Sequence, residues 1–289
     1  MFHFERLEPN TLDEACSMLA EHKEQAKIIA GGHGLFPLLK HGLVKPPYVI
    51  DIKGLTELNY IKEDNGNIVI GALATNRSIE NSHLLQKVLP MLPELEGVLG
   101  DVQTRNWGTA VGNICMSSPT SDLSPSLTAL KASFKVKSAR GERLISVDDF
   151  FVAYMKTALE VDEMIVEIQI PKPPVHTGSA YHKERVRMTD SPIASVAAAV
   201  TLNDACDTIT AARVVLQAVC PTPLRATQSE ELLIGAKVGG DFLPAALAAV
   251  ADTACPISDI YGSIEYKKAM AQVAAKKVIE RAIERAKIS

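Results

Sequence analysis

Thr104-Arg-Asn-Trp-Gly-Thr-Ala-Val-Gly-Asn113, continued by Ile-Cys-Met-Ser-Ser-Pro-Thr-Ser-Asp122, is the stretch that decides how the chain is read. It packs Thr, Gly, Asn, Ser and Asp densely between two apolar regions. It therefore offers small side chains, free backbone N–H groups and one carboxylate. That is the equipment for holding a large polar ligand against a protein backbone. Far upstream, Lys27-Ile-Ile-Ala-Gly-Gly-His-Gly-Leu35 has the same character. Gly31, Gly32 and Gly34 let the backbone approach an anion closely, while His33 reads as a hydrogen-bonding bystander. The expectation is that two loops grip one ligand and the rest of the chain positions them.

The surrounding pattern supports that placement. Thr11 with Glu14 has capping-box spacing, and Leu12, Ala15, Cys16 and Leu19 share one helical face. Ala26 to Ala30 reads as a buried strand feeding the glycine turn, and Leu35 to Lys40 as a helix after it. A glycine turn between strand and helix favours anion binding. It matches neither Gly-x-Gly-x-x-Gly nor the P-loop pattern. Tyr48 to Ile52 reads as a strand, and Leu58–Lys62 with Asn67–Gly71 as a hairpin. Ser78 to Leu99 is helical, broken at Pro90 and Pro93. The quoted stretch follows as a loop, then a short helix from Leu123 to Ala132. Asp122 either caps that helix or accepts from a ligand hydroxyl. Ser133–Ser138 and Arg143–Val147 form a second hairpin, and the alternation of Val166 to Ile170 predicts a half-exposed strand. Pro171-Lys-Pro-Pro174 breaks the pattern and marks a domain junction. Beyond it come strands at Ile193–Leu202 and Ile209–Cys220. Three helices follow, at Ala226–Ala236, Asp241–Thr253 and Ile264–Lys287. In the last, Tyr266, Met270, Val273, Ala274, Val278 and Ala282 predict the packed face.

Composition excludes several classes. The chain has 289 residues, which allows two domains, and 47 % are hydrophobic, enough for ordinary cores. Net charge is -4 with the charges interspersed, so no basic stripe points to nucleic acid. No apolar run approaches membrane-spanning length and the start lacks an apolar signal core. A cytoplasmic protein is the expectation, with carriage in an exported complex left open. Five cysteines without Cys-x-x-Cys spacing disfavour a disulfide framework or a metal site made by this chain alone. Four of them read as buried or half-buried thiols; Cys115 differs by lying in the quoted stretch. No Ser/His/Asp or His-x-x-His pattern appears, so neither catalytic nor metal residues are assigned.

Three motifs carry a family resemblance over essentially the whole chain. Ala30-Gly-Gly-His-Gly-Leu35 resembles the Ala-Gly-Gly-x-x-Leu motif of the FAD-binding subunits of molybdenum hydroxylases. Arg105-Asn-x-Gly-Thr-x-x-Gly-Asn113 with Ser118-Pro-x-x-Asp122 is similar to that family's second flavin motif. Pro256-Ile-Ser-Asp-x-x-Gly-Ser-x-Glu-Tyr266 resembles its last domain. These are the medium subunits of carbon monoxide dehydrogenase, xanthine dehydrogenase and related oxidoreductases.

The resemblance implies an α+β fold. A two-lobed FAD-binding domain of the p-cresol methylhydroxylase type would span 1–172, its lobes parting near residue 55. A smaller α+β domain would span 176–289. By position, Ile28, Ile29, Ala30, Gly31, Gly32, His33, Gly34 and Leu35 would hold the pyrophosphate side of FAD. Thr109, Gly112 and Asn113 would hold its other side. Asp122 would touch the flavin, Ile165 would lie near it, and Lys183 would place a cation at the isoalloxazine edge. The family usually has two glycines before the asparagine, where Val111 takes the first place here. Tyr261 stands where arginine is usual. The implied role is electron transfer in a complex, a dimer of heterotrimers. Molybdopterin would sit on a large subunit and two 2Fe-2S clusters on a small one. FAD in this chain would pass electrons to NAD or a quinone. A stand-alone flavin oxidoreductase and a flavin-less scaffold remain open at this point.

Overall fold

Thr11 opens the helix Leu12–His22 as expected, its Oγ1 accepting from the Glu14 N–H at 3.1 Å. Glu14 returns its carboxylate to the Asn10 N–H at 2.7 Å, so the box closes one residue early. The computed structural model describes residues 3–288; Met1, Phe2 and Ser289, the outer ends of the two expected domains, lie outside the described residues. The first sheet is parallel, with strands Glu5–Leu7, Tyr48–Asp51 and Ala26–Ile29 side by side in that order. Parallel strands need crossovers. Leu12–His22 supplies one, and the glycine turn with helix Leu35–Lys40 supplies the other.

The second sheet is antiparallel and orders Ile61–Asp64, Asn67–Gly71, Met164–Pro171, Ser133–Ser138 and Gly141–Ser146. Its first hairpin starts three residues later than expected, because Thr56–Leu58 is a short 3-10 turn. Asn65 and Gly66, both at positive φ (48° and 77°), make the two-residue turn. The strand expected to be half-exposed is the centre of this sheet, and its alternation holds, with Glu167 and Gln169 half-buried between buried neighbours. Glu167 accepts the Tyr60 hydroxyl. Between the strands run the helices Asn76–Glu80, His83–Val88 and Met91–Gly97. The expected break at Pro90 is there, but none occurs at Pro93, which sits in the first turn of the last of these helices where its missing N–H costs nothing.

The quoted stretch is not a loop. It forms helices Val102–Trp107 and Ala110–Cys115, joined at Gly108-Thr109. Thr109, which read as a ligand donor, also caps a helix, as does Asp101 just ahead of the stretch. Asp101 Oδ1 accepts from the Thr104 N–H at 2.7 Å, and Thr109 Oγ1 from the Gly112 N–H at 3.0 Å. Helix Leu123–Ala129 follows, with Pro125 in its first turn.

The third sheet is antiparallel: Thr177–Glu184, Ala194–Leu202, Ile209–Gln217 and Leu224–Arg225. Its first strand was missed, because Tyr-His-Lys-Glu reads as polar although it pairs along its whole length with Ala194–Thr201. One face, including Tyr181, Ala197 and Val215, joins the core of the preceding two sheets. The other is covered by helices Thr227–Leu233, Leu243–Thr253 and Ile264–Ala286. The last helix buries Lys267, Ala271, Ala274, Val278 and Ala282. Its expected face is therefore rotated at the start, where Tyr266 and Val273 are 46 % and 40 % exposed. Alanines on that face let the helix lie almost on the sheet backbone. A Cβ at Gly178 would come within 2.0 Å of the Ala282 carbonyl oxygen.

Gly178→Ala should therefore destabilise the protein by about 2 kcal/mol or more, as overpacking against backbone does. Urea unfolding with an unchanged midpoint would contradict the close approach.

Candidate functional site

The two glycine-bearing stretches meet. A Cβ at Gly31 would lie 1.8 Å from the Trp107 carbonyl oxygen and 2.9 Å from Gly108 Cα, so only glycine fits there. A Cβ at Gly34 would lie 2.6 Å from the Met116 Sδ, a contact with a flexible side chain rather than with backbone. A third segment locks the junction from below. Thr75 bridges Thr109, the Asn76 N–H donates to Gly108 O at 2.9 Å, and the Ala110 N–H donates to Ala74 O at 3.3 Å. A cleft of about 230 Å³ opens at this junction. Ala30 and Gly31 form one wall, and Asn106, Trp107 and Thr109 the opposite one. Lys53, Thr56 and Asn59 close its side. Those three carried no sequence signal, because they sit in 3-10 turns with no motif.

The expected site residues fall into two groups. Ile28 and Ile29 end the strand Ala26–Ile29 and aim Ala30–Gly34 at the cleft; Gly32 takes φ +80° there. His33 is exposed, and Leu35 begins the next helix. Thr109 lines the cleft, its Oγ1 accepting from Gly112 while its own hydrogen remains available to a ligand. Asn113 Oδ1 accepts from the Ser121 hydroxyl at 2.6 Å, leaving Nδ2 without a protein acceptor among the described residues. Ile165 is not at the cleft wall. It is a 2 % exposed core residue at a register shift of the central strand. Arg105 of the motif is a strut, donating to Glu80 and to Leu99 O, each at 3.0 Å.

Asp122 and Lys183 form the second group. Asp122 makes no cap bond; Ser121 Oγ accepts from the Ser124 N–H instead. Lys183 has a side chain only 3 % exposed, and its Nζ donates to Asp122 Oδ2 at 2.7 Å. The Tyr181 hydroxyl donates to Asp122 Oδ1. Burial, reinforced by the Asp122 charge, pushes the Tyr181 phenol well above its usual range. Fully buried Glu96 adds a further acid, and neither of its carboxylate oxygens has a partner. Burial first, then the charges of Asp122 and Glu80, raise it well above the carboxylate range, against the pull of Arg105 and Lys183.

Residues 2–173 match the family described as the FAD binding domain in molybdopterin dehydrogenase, and residues 179–282 match the CO dehydrogenase flavoprotein C-terminal domain. The chain belongs to the FAD-binding medium subunits of the molybdenum hydroxylases. It is similar to the carbon monoxide dehydrogenase medium chain of Afipia carboxidovorans, 32 % identical with 98 % of each chain covered. It is 35 % identical to the nicotinate dehydrogenase FAD-subunit of Eubacterium barkeri, covering 96 % of this chain and 95 % of that one. A solved carbon monoxide dehydrogenase from Hydrogenophaga pseudoflava, lacking the Mo-pyranopterin moiety, superposes with a TM-score of 0.94. That match is 33 % identical and covers 98 % of both chains. The medium subunit is thus an oxidoreductase flavoprotein with its FAD-binding domain in this chain. Val111, its departure from the family motif, lies buried within helix Ala110–Cys115 and needs no positive φ. Tyr261 is half-exposed in a turn closed by the Asp259–Gly262 bridge. Cys255 is exposed, against expectation, because it follows the helix end at Ala254.

Two outcomes follow from the buried group. Asp122→Asn strands the Lys183 charge and should cost about 3 kcal/mol, most of it recovered in Asp122→Asn with Lys183→Met. Equal urea midpoints for the single and double variants would contradict the pairing. Glu96 keeps its proton in the native state where the unfolded chain releases it. Its contribution is fully present below the ordinary carboxylate range and is lost as pH rises toward the raised folded value. Glu96→Gln should therefore match the parent near about pH 4 and melt higher near about pH 8. Parallel melting profiles across that span would contradict a protonated Glu96.

Proposed function

We propose that Ile28–Leu35, Thr109, Gly112 and Asn113 hold FAD in the cleft at the Gly31–Trp107 contact. We further propose that the chain is the electron-transfer step of a molybdenum-containing complex. The observation that carries this reading is the meeting of two remote stretches at one cleft, with an unused donor on its wall at Thr109 and another one helical turn further on at Asn113. Backbone N–H groups of the glycine turn suit a pyrophosphate. The free Asn113 Nδ2 and the Thr109 hydroxyl suit the acceptors beyond it. Trp107, 59 % exposed, and Phe36, 52 % exposed, supply apolar surface beside these polar groups. The residues present therefore fit the cofactor. FAD bound here would supply the redox chemistry, taking electrons from a partner's 2Fe-2S clusters and releasing them to an acceptor such as NAD or a quinone.

The protein's own part is to bind, orient and tune. Lys183 enters this reading as half of a neutral pair with Asp122, so its field is offset rather than presented as a lone cation. The pair ties the flavin-binding part, residues 1–172 with lobes parting near 55, to the part from 176 to 289. Partners in this reading are a large molybdopterin subunit and a small iron–sulfur subunit, joined as a dimer of heterotrimers in the cytoplasm. Among the described residues no helix is long and apolar enough to cross a membrane.

Purified protein should absorb near about 450 nm, as oxidised flavins do, and should co-purify with iron–sulfur and molybdenum subunits. Asn113→Leu removes the free amide donor and should weaken FAD retention roughly tenfold or more. Unchanged flavin occupancy in that variant after extensive dialysis would overturn the site assignment.

A further inference from the structure

A second cleft, of about 390 Å³, lies between the end of the second sheet and the edge of the third. It shares no lining residue with the flavin cleft. Its charged lining is Lys131, Arg213, Arg225 and Asp148, three cations to one carboxylate. Arg213 is the unusual member. Its side chain is 8 % exposed, and only Nη2 is engaged, donating to both Asp148 oxygens at 2.7 and 2.6 Å. Its Nε is closed off without an acceptor, and Nη1 has none among the described residues. A guanidinium normally fills its fork, and a buried donor left unpaired costs about 1–3 kcal/mol. Lys131, exposed on a left-handed backbone (φ 56°), has no ion-pair partner among the described residues. Arg225 spends Nε and Nη2 on Glu230, which leaves Nη1 over.

The Ser146 and Thr210 hydroxyls complete a polar rim.

We propose that this inter-domain cleft binds a small oxyanion of the phosphate class, with Arg213 as its buried anchor and Lys131 and Arg225 as its outer contacts. The anion competes with Asp148 for the Arg213 fork. The two neighbouring side chains should therefore act with opposite sign: loss of Lys131 weakens binding and neutralisation of Asp148 strengthens it. The proposal does not rest on the flavin assignment, because the cleft would fill whether or not FAD is bound.

The test is calorimetric titration of the FAD-saturated chain with inorganic phosphate, at ionic strength held constant with sodium chloride. Expected is saturable one-to-one binding. It should be at least fivefold weaker in Lys131→Gln, which removes an exposed charge and keeps the fold, and at least threefold tighter in Asp148→Asn. Flavin absorbance should stay constant throughout. Heats no larger than the chloride control, equal affinity in parent and Lys131→Gln, or release of flavin by phosphate would each overturn the proposal. The last would place the anion in the nucleotide cleft instead.

Discussion

Gly31 has no room for a side chain because the Trp107 carbonyl occupies the place where one would stand. Everything else at the site depends on that contact. The parallel sheet delivers Gly31 at the end of a buried strand. The junction between two short helices delivers Trp107 and Gly108. The Thr75–Thr109 bridge then holds the helical side in register. Neither stretch forms a cleft alone. Pressed together, they leave a space walled by backbone on one side and by Asn106, Trp107 and Thr109 on the other. The motif arginine works behind this wall, tying Arg105 to Glu80 and Leu99 rather than reaching toward a ligand.

A second constraint joins the flavin-binding part to the rest. Asp122 closes the quoted stretch, and its carboxylate is fully used by Tyr181 and Lys183 from the third sheet. A buried pair of this kind is weak evidence of net stabilisation, but removing one partner is costly. It therefore specifies how the two parts dock more than how firmly each folds. Gln217 adds to the same seam, its Nε2 donating to Ser118 O and Pro119 O. Glu96 lies beside the pair without partners of its own. In a space already holding one carboxylate, the neutral acid is the form that fits.

Much of this was legible in the residues. The strand before the glycines, the capped first helix, both hairpins and the break at Pro90 all came from local chemistry that tertiary packing left intact. The reading failed where one residue type serves two purposes. Thr109 read as a loop donor, yet it caps a helix. Asp122 resembled a cap and makes no cap bond. Lys183 shows no local partner because Asp122 lies 61 positions away. By contrast, the central strand keeps the alternation its residues spell, with Glu167 and Gln169 half-buried between buried neighbours. The face of the last helix was misplaced at its start, because close packing selected Lys267 and Ala271 over the larger Tyr266 and Val273. Lys53, Thr56 and Asn59 had no pattern to reveal them; only the folded chain brings them to the cleft.

The central claim is that the nucleotide lies between the glycine turn and the Trp107–Thr109 junction. Trp107 is the chain's single tryptophan and sits on that wall. Tryptophan emission of the flavin-depleted protein, excited selectively over its six tyrosines and followed during titration with FAD, therefore reports on that wall. The account predicts strong quenching that saturates at one FAD per chain. Stoichiometric FAD binding with Trp107 emission unchanged would contradict it.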